Sequence, residues 1–159
     1  MKPCRGWLYA ILLIANYCHL TGANAKNSLK NADLPACVAA ADVTPRQLHG
    51  LWRAEWPAGA GQAAQAATLW LEPHREFADS LSGHLRREDA GAVQIAQVAG
   101  DLDAGEFTLE ESLDGHSVHA VWQGHVNEAS CGKEITGTWN STSDRVLRPF
   151  VLRQSARTP

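Results

Sequence analysis

The chain has 159 residues, a formal net charge of −3 and four cysteines, and 45% of its residues are hydrophobic. A chain of this size makes one domain with a core of its own. Its slight net acidity argues against a general nucleic-acid binder or a protein held to anionic membranes by charge.

The N-terminus has the pattern of a secretory signal peptide. Lys2 and Arg5 precede the apolar run WLYAILLIANY, and the small-residue site ANA follows at 23–25. This run is shorter than the roughly 20 residues that a membrane-spanning helix needs, although an uncleaved anchor remains the alternative. We therefore expect residues 1–25 to be removed and the mature protein, beginning at Lys26, to be secreted or periplasmic.

Two cysteines, Cys37 and Cys131, remain in that mature chain. Two cysteines in an exported domain most often form one disulfide, and the alternatives are free thiols or a metal site, which would need more ligands. A loop of this length is stabilised by about 4 to 5 kcal/mol in the chain-entropy description of a disulfide.

The remaining sequence divides into a leader, residues 26–46, and an all-β domain, residues 47–159. The leader is rich in Ala, Asn and Asp and contains two prolines, so we expect one short helical turn there. After it, short alternating apolar segments are separated by turn residues, which is typical of an all-β fold. Eight strands are predicted: QLHGLWRAEW, AATLWLE, EFADSLSGHLR, AVQIAQVAGDL, EFTLEES, SVHAVWQGHV, KEITGTWNS and PFVLRQ.

Five of these strands contain a glycine two residues from an apolar neighbour. Because side chains alternate along a strand, such a glycine belongs to the core face. The strands of a small closed barrel bend sharply, and its narrow interior cannot hold a large side chain at every level. The pattern therefore predicts a small up-and-down antiparallel β-barrel of about eight strands, with inward glycines at Gly50, Gly83, Gly100, Gly124 and Gly137.

The predicted strand order also supports the disulfide. In an eight-stranded meander, the first strand begins at the end of the barrel where the sixth strand turns into the seventh. Cys37 precedes the first strand and Cys131 lies in that turn. The topology therefore brings the two cysteines to the same end.

The segment LHGLW resembles the Gly-x-Trp signature of the calycin group, which includes lipocalins and avidins. The segments VWQGHV and EITGTW resemble late avidin strands, and the similarity in strand order runs from Leu48 to Gln154. The resemblance implies an eight-stranded barrel that holds a small apolar or amphipathic molecule at its open end. It also implies that a basic residue of the last strand, here Arg153, packs over Trp52.

The sequence departs from avidins at the positions that bind biotin. Avidins use an Asn just after the first Gly-x-Trp, a Tyr, and an Asp on the last strand. Here Arg53, Ala54 and Glu55 follow Trp52, and the last strand has no acid. We therefore do not expect biotin binding.

Tryptophans and a few polar side chains are predicted to face the barrel interior near its open end. Such a composition is typical of a concave site for a small ligand. The alternative is that the tryptophans simply fill the interior, because eight strands leave little room. The predicted ligand-binding residues are Trp52, Trp56, Gln94, Glu111, Trp122, Trp139 and Ser141.

No catalytic, metal or cofactor site is predicted. His119 and His125 face outward in the predicted register, and no third ligand accompanies them. No G-x-S-x-G nucleophile motif is present. The leading hypothesis is therefore a non-enzymatic binder of a small apolar or amphipathic ligand.

The runner-up hypothesis is a protein-interaction module, such as an inhibitor or an envelope-associated binder, that acts through its outer face and loops. Trp70 alternates with Leu69 and Leu71, so we expect it to face outward. An exposed tryptophan indicates a protein partner or a homo-oligomer. Neither a nucleic-acid partner nor stable membrane insertion is expected.

Overall fold

The computed structural model describes residues 37–59, 61–89, 91–143 and 145–156. The predicted signal peptide and residues 26–36 of the predicted leader lie outside these ranges. The described chain contains 3₁₀ turns at Ala40–Asp42, Pro45–Leu48 and Glu128–Ser130. Its strands are β1 (Gly50–Trp56), β2 (Gln65–Pro73), β3 (Ser80–Asp89), β4 (Ala92–Asp103), β5 (Glu106–Ser112), β6 (Ala120–Val126), β7 (Glu134–Ser141) and β8 (Leu147–Gln154).

The eight strands form one closed barrel in which each strand pairs antiparallel with the next. Pairing of β8 with β1, in which Leu152 lies opposite Ala54, closes the sheet on itself. The prediction of an all-β, up-and-down antiparallel barrel of eight strands is therefore confirmed. Odd-numbered strands run towards the end that carries loops 57–64, 90–91, 113–119 and 142–146, which we call the upper end.

The disulfide prediction is also confirmed. Cys37 and Cys131 are bonded at the lower end of the barrel, with their Cα atoms 4.6 Å apart. Disulfides of this kind persist in oxidising compartments. Among the residues in the described ranges, no helix has the length and apolar character needed to cross a membrane.

The lower end is closed by the segment that precedes β1. Val43 and Leu48 are buried in the core, and the indole N–H of Trp52 donates to the carbonyl oxygen of Leu48 at 2.7 Å. The carboxamide oxygen of Gln47 accepts the backbone N–H of Thr44 at 2.7 Å, which favours the 3₁₀ turn over an extended chain. The first strand therefore begins at Gly50 rather than at Gln47 as predicted, and the segment has two 3₁₀ turns rather than one.

Two other strands begin later than predicted because side chains organise the preceding loops. The ring Nδ1 of His74 accepts the backbone N–H groups of Glu76 and Phe77 at 3.2 and 3.3 Å, so β3 begins only at Ser80. The carboxylate of Asp114 similarly holds the loop before β6, which begins at Ala120. Such local side-chain bonds compete with strand pairing.

The close approach of neighbouring strands explains two of the glycines better than a shortage of interior space does. A Cβ atom on Gly83 would overlap the carbonyl oxygen of Trp70, and one on Gly100 would overlap that of Thr108. At these positions the neighbouring backbone occupies the place of a side chain. Gly50 differs, since nothing lies within 4 Å of its Cβ position, and its φ of 122° is what favours glycine there.

Arg153 does not take the position over Trp52 that the calycin resemblance implies. It lies on the outer face, where it donates to Glu55 at 2.8 Å and pairs with Glu134 at 3.0 Å. The reason is its place in the alternation of β8, where Leu152 is the residue that faces the core.

Candidate functional site

A charged pair lies inside the upper half of the barrel. Glu111 on β5 is fully buried, and Nη2 of Arg87 on β3 donates to its Oε1 atom. The Arg87 side chain keeps 17% of its surface exposed. A carboxylate is costly in a core unless it is paired and hydrogen-bonded, so the remaining contacts of Glu111 decide whether this arrangement is stable.

Two tryptophans complete the hydrogen bonding of Glu111. The indole N–H groups of Trp122 and Trp139 donate to its Oε2 atom at 3.3 and 3.2 Å. These tryptophans are directly paired across β6 and β7, which is why both indoles reach the same oxygen. Glu111 therefore accepts from three donors, two of them neutral and one cationic.

Trp56 packs beside this pair from the upper end of β1. Its ring centroid lies 5.0 Å from that of Trp122 and 6.3 Å from that of Trp139. The guanidinium carbon of Arg87 lies 5.6 Å from the ring centroid of Trp56 and 5.8 Å from that of Trp139. Cation–π attraction therefore adds to the ion pair in holding Arg87. We call Trp56, Arg87, Glu111, Trp122 and Trp139 the upper cluster.

Two donors of the upper cluster have no acceptor among the described residues. They are Nε1 of Trp56 and Nε of Arg87, and both atoms are buried. Most buried N–H groups in proteins have a hydrogen-bond partner, so two adjacent exceptions call for an explanation. Glu111 does not supply one: its hydrogen bonds are with Nη2 of Arg87 and with the indole N–H groups of Trp122 and Trp139.

Four of the seven predicted ligand-binding residues belong to the upper cluster, and a fifth lies beside it. Ser141 is buried, and it pairs with Ala120, which in turn pairs with Glu111 on its other side. Its hydroxyl group lies 3.1 Å from that of Ser143. Ser141 therefore occupies the row of inward side chains that contains Glu111.

The other two predicted residues lie elsewhere. Trp52 is near the lower end, four residues or about 13 Å along β1 from Trp56, and its indole N–H is already bonded to Leu48. Placing it near the open end was wrong because β1 is long enough to put its two buried tryptophans at different depths. Gln94 is paired with Arg87 across β3 and β4, but it is exposed.

Sequence analysis missed Arg87. The predicted third strand ended at Arg86, whereas β3 continues to Asp89 because its hairpin with β4 is long. Arg87 is therefore in phase with the inward positions Leu85 and Gly83. The alternation was visible in the sequence, but an arginine at a strand end is more often solvated.

Arg148 was missed as well, and it lies across the mouth of the barrel. It is in phase with the buried Phe150 on β8 and is paired with Trp139. Its guanidinium group donates to the side-chain oxygen of Gln65 and, at 3.0 Å, to the carbonyl oxygen of Ala63. Arg148 thus links β8 to the end of the loop between β1 and β2, above the upper cluster.

The space around the upper cluster is at the rim rather than in the centre. Of five pockets of 390 to 640 Å³, none is lined by Glu111, Trp122 or Trp139. One of these, of 390 Å³, touches the cluster only through Trp56; it lies on the outer side of the rim, where Glu55 and Val151 line it together with Pro57 and Ala64. At the level of the cluster, the interior is occupied by the cluster's own side chains.

The loop between β5 and β6 is shaped by Asp114. Its carboxylate accepts the backbone N–H groups of Ser117 and His116, both at 2.8 Å, and the hydroxyl group of Ser112 at 3.1 Å. The Ser117 and His116 N–H groups hold the pKa of the Asp114 carboxyl well below its usual range. This loop is one of the four that surround the mouth of the barrel.

No family model matches this sequence, and no curated protein matches it either. Within the described ranges, no group of three His, Cys, Asp or Glu side chains is arranged to hold a metal ion. The geometry of the upper cluster is therefore the observation on which a functional argument can be based.

Proposed function

We propose that this protein is an exported, calycin-like barrel that binds a small apolar or amphipathic ligand at its upper end and does not transform it. The observation that carries the proposal is the pair of buried N–H groups, on Trp56 and Arg87, that lack an acceptor in the described chain. A ligand in the 390 Å³ pocket on the outer side of the rim contacts Trp56, the member of the upper cluster that lines it. Concave sites with aromatic walls and a few polar groups are typical of small-molecule binding.

Exposed apolar side chains near the mouth support a ligand with an apolar part. Leu113 follows β5, Val118 lies just before β6, and Leu147 begins β8, so all three are at the upper end. Each is exposed rather than packed in the core. Exposed apolar side chains at one end of a barrel are available to the apolar part of a ligand.

The chemistry of the cluster supports binding without catalysis. A general base must reach a substrate proton, yet Glu111 is fully buried and both of its oxygens accept protein donors. Arg87 serves as the countercharge of Glu111. The ionisable groups of the cluster are thus engaged in holding each other and the tryptophans.

Export is supported by the apolar N-terminal run with its small-residue site and by the Cys37–Cys131 disulfide. Cleavage of the signal peptide would be detected directly in the N-terminal sequence of the protein recovered from outside the cytoplasm. We expect that sequence to begin at Lys26.

Native mass spectrometry of the exported protein, followed by titration with N-phenyl-1-naphthylamine, tests ligand binding. We expect either a co-purified small molecule or one bound probe per chain, with energy transfer from the cluster tryptophans to the probe. Trp70→Phe is the matched control, because Trp70 lies on the outer face and its loss should leave binding unchanged. A protein that carries no ligand and binds no probe contradicts the proposal.

A second candidate function, a protein-interaction module, is favoured by the outer face around Trp70. Trp70 is 41% exposed and lies directly opposite Leu51, which is also exposed. A pocket of 480 Å³ lies beside these two residues and is lined by Pro73 and Ala156 as well. Capture of a partner from the exported fraction by the wild type, but not by Leu51→Ser/Trp70→Ser, would support this function. Retention of the partner by the double variant would exclude this face.

A further inference from the structure

We infer that the group which the upper cluster recognises is an uncharged hydrogen-bond acceptor, a carbonyl or hydroxyl oxygen, held by the N–H groups of Trp56 and Arg87. The inference rests on the proposed function and specifies the polar part of its ligand. It follows from which donors are free, from the charge balance of the cluster, and from the route by which a ligand reaches it.

The free hydrogen-bonding capacity of the cluster consists of donors. Nε1 of Trp56 and Nε of Arg87 are buried without an acceptor in the described chain, and Trp56 as a whole is only 3% exposed. An indole nitrogen and a guanidinium group can donate but cannot accept. A complementary ligand group must therefore accept.

The two donors belong to side chains that pack against each other, with the Arg87 guanidinium carbon 5.6 Å from the Trp56 ring centroid. A carbonyl or hydroxyl oxygen has two lone pairs and accepts two hydrogen bonds. One such oxygen can therefore accept a hydrogen bond from each of the two free N–H groups.

The charge of the cluster excludes most ionised groups. The positive charge of Arg87 is already paired with the buried carboxylate of Glu111. An anion at the free donors would lie close to Glu111 without a cation of its own, and like charges in a shared buried site are unfavourable. A cation would lie beside the positively charged guanidinium group of Arg87, which repels it. An uncharged acceptor avoids both costs.

The route to the cluster fits a ligand that enters with its polar group first. Trp56 lines the 390 Å³ pocket on the outer side of the rim, and Arg87 keeps 17% of its side chain exposed. The apolar remainder of the ligand would then lie along Pro57, Ala64 and Val151, which line the same pocket. This arrangement orients an amphipathic molecule without a charged anchor.

Three probes with the same eight-carbon chain length test the inference at pH 7.5: 2-octanone as the uncharged acceptor, octanoate as the anion and octylammonium as the cation. Binding is followed by tryptophan fluorescence and calorimetry. We expect 2-octanone to bind at least tenfold more tightly than either ion. Trp56→Phe, which keeps the ring and removes one donor, should weaken 2-octanone binding about three- to tenfold, as expected for one hydrogen bond. Trp70→Phe should leave it unchanged.

Each other outcome overturns the inference in a recognisable way. Octanoate or octylammonium binding as tightly as 2-octanone would refute the uncharged acceptor while leaving ligand binding intact. An unchanged 2-octanone affinity in Trp56→Phe would show that solvent, not the ligand, satisfies this donor. Failure of all three probes and of N-phenyl-1-naphthylamine would remove the proposed function together with the inference. If Trp56→Phe does not fold, the ranking of the three probes on the wild type still decides.

Discussion

Gly137 lies directly opposite Gly124 across β6 and β7, and the ring of Phe150 lies against Gly124. A Cβ atom on Gly124 would lie 3.0 Å from Cζ of Phe150 and 2.6 Å from the carbonyl oxygen of Thr136. A Cβ atom on Gly137 would overlap the backbone of Gln123 and Gly124. The two strands thus approach each other more closely here than side chains allow.

Gly137→Val should therefore destabilise the barrel. The added side chain meets backbone rather than a flexible neighbour, and overpacking of this kind costs roughly 1 to 3 kcal/mol. Urea denaturation measures the loss directly. Thr138→Val is the matched control, because Thr138 is exposed on the same strand, and it should change the free energy of unfolding by less than about 0.5 kcal/mol. Equal stability of the two variants would contradict the close strand approach.

The fold could be predicted from the sequence, whereas part of the candidate site could not. Alternation and turn residues are local signals, and they predicted eight strands in the right order. The depth of a side chain in the barrel depends instead on strand length and register. That is why Trp52 and Trp56, which share a face of β1, lie at different levels.

The charged half of the upper cluster illustrates the same limit. Glu111, Trp122 and Trp139 were predicted to face the interior, and they meet there. Their cationic partner, Arg87, depends on a hairpin that extends to Asp89 and on pairing between distant strands. No local pattern indicates that an arginine at this position turns inward to a carboxylate 24 residues away.

The disulfide leads to a second prediction. The exported protein should contain no alkylatable thiol until it is reduced, and reduction should lower its melting temperature markedly, because the bond between Cys37 and Cys131 closes a loop with a sequence separation of 94. The chain-entropy estimate for such a loop is about 4 to 5 kcal/mol. Mass spectrometry after iodoacetamide treatment, with and without reductant, counts the thiols. Two modified cysteines in the unreduced native protein would contradict the bond.

The loop shaped by Asp114 should be sensitive to acid. Because hydrogen bonds from Ser117 and His116 lower the folded-state pKa of Asp114 below its ordinary value of 3.8, the contribution of this carboxylate to stability is complete above that value. It is lost as the pH falls further, towards the lowered folded-state pKa. Amide hydrogen exchange at Ser117 should therefore show less protection in Asp114→Ala than in the wild type at pH 6, and the difference should shrink in strong acid. Asp103→Ala, at the last residue of β4 and therefore at the other end of the barrel, should not affect Ser117 at either pH.

The ion pair of the upper cluster gives the most demanding prediction. Glu111→Leu leaves Arg87 without its countercharge and deprives Trp122 and Trp139 of their acceptor, and removing one partner of a buried pair typically costs about 3 to 5 kcal/mol. Arg87→Met leaves the fully buried Glu111 as the uncompensated charge, held by the two indole donors alone, so we expect a loss of similar size.

The double variant Arg87→Met/Glu111→Leu removes both charges together. Replacing a buried ion pair by apolar residues is often close to neutral, so we expect the double variant to be more stable than Glu111→Leu alone. Urea denaturation of the wild type, both single variants and the double variant gives the coupling free energy between the two positions. Strictly additive losses would mean that the two side chains do not depend on each other. The double variant also lacks Nε of Arg87, so Nε1 of Trp56 is the one that remains of the two donors proposed to hold the ligand. A double variant that regains stability but no longer binds 2-octanone would separate the structural role of the pair from its role in ligand binding.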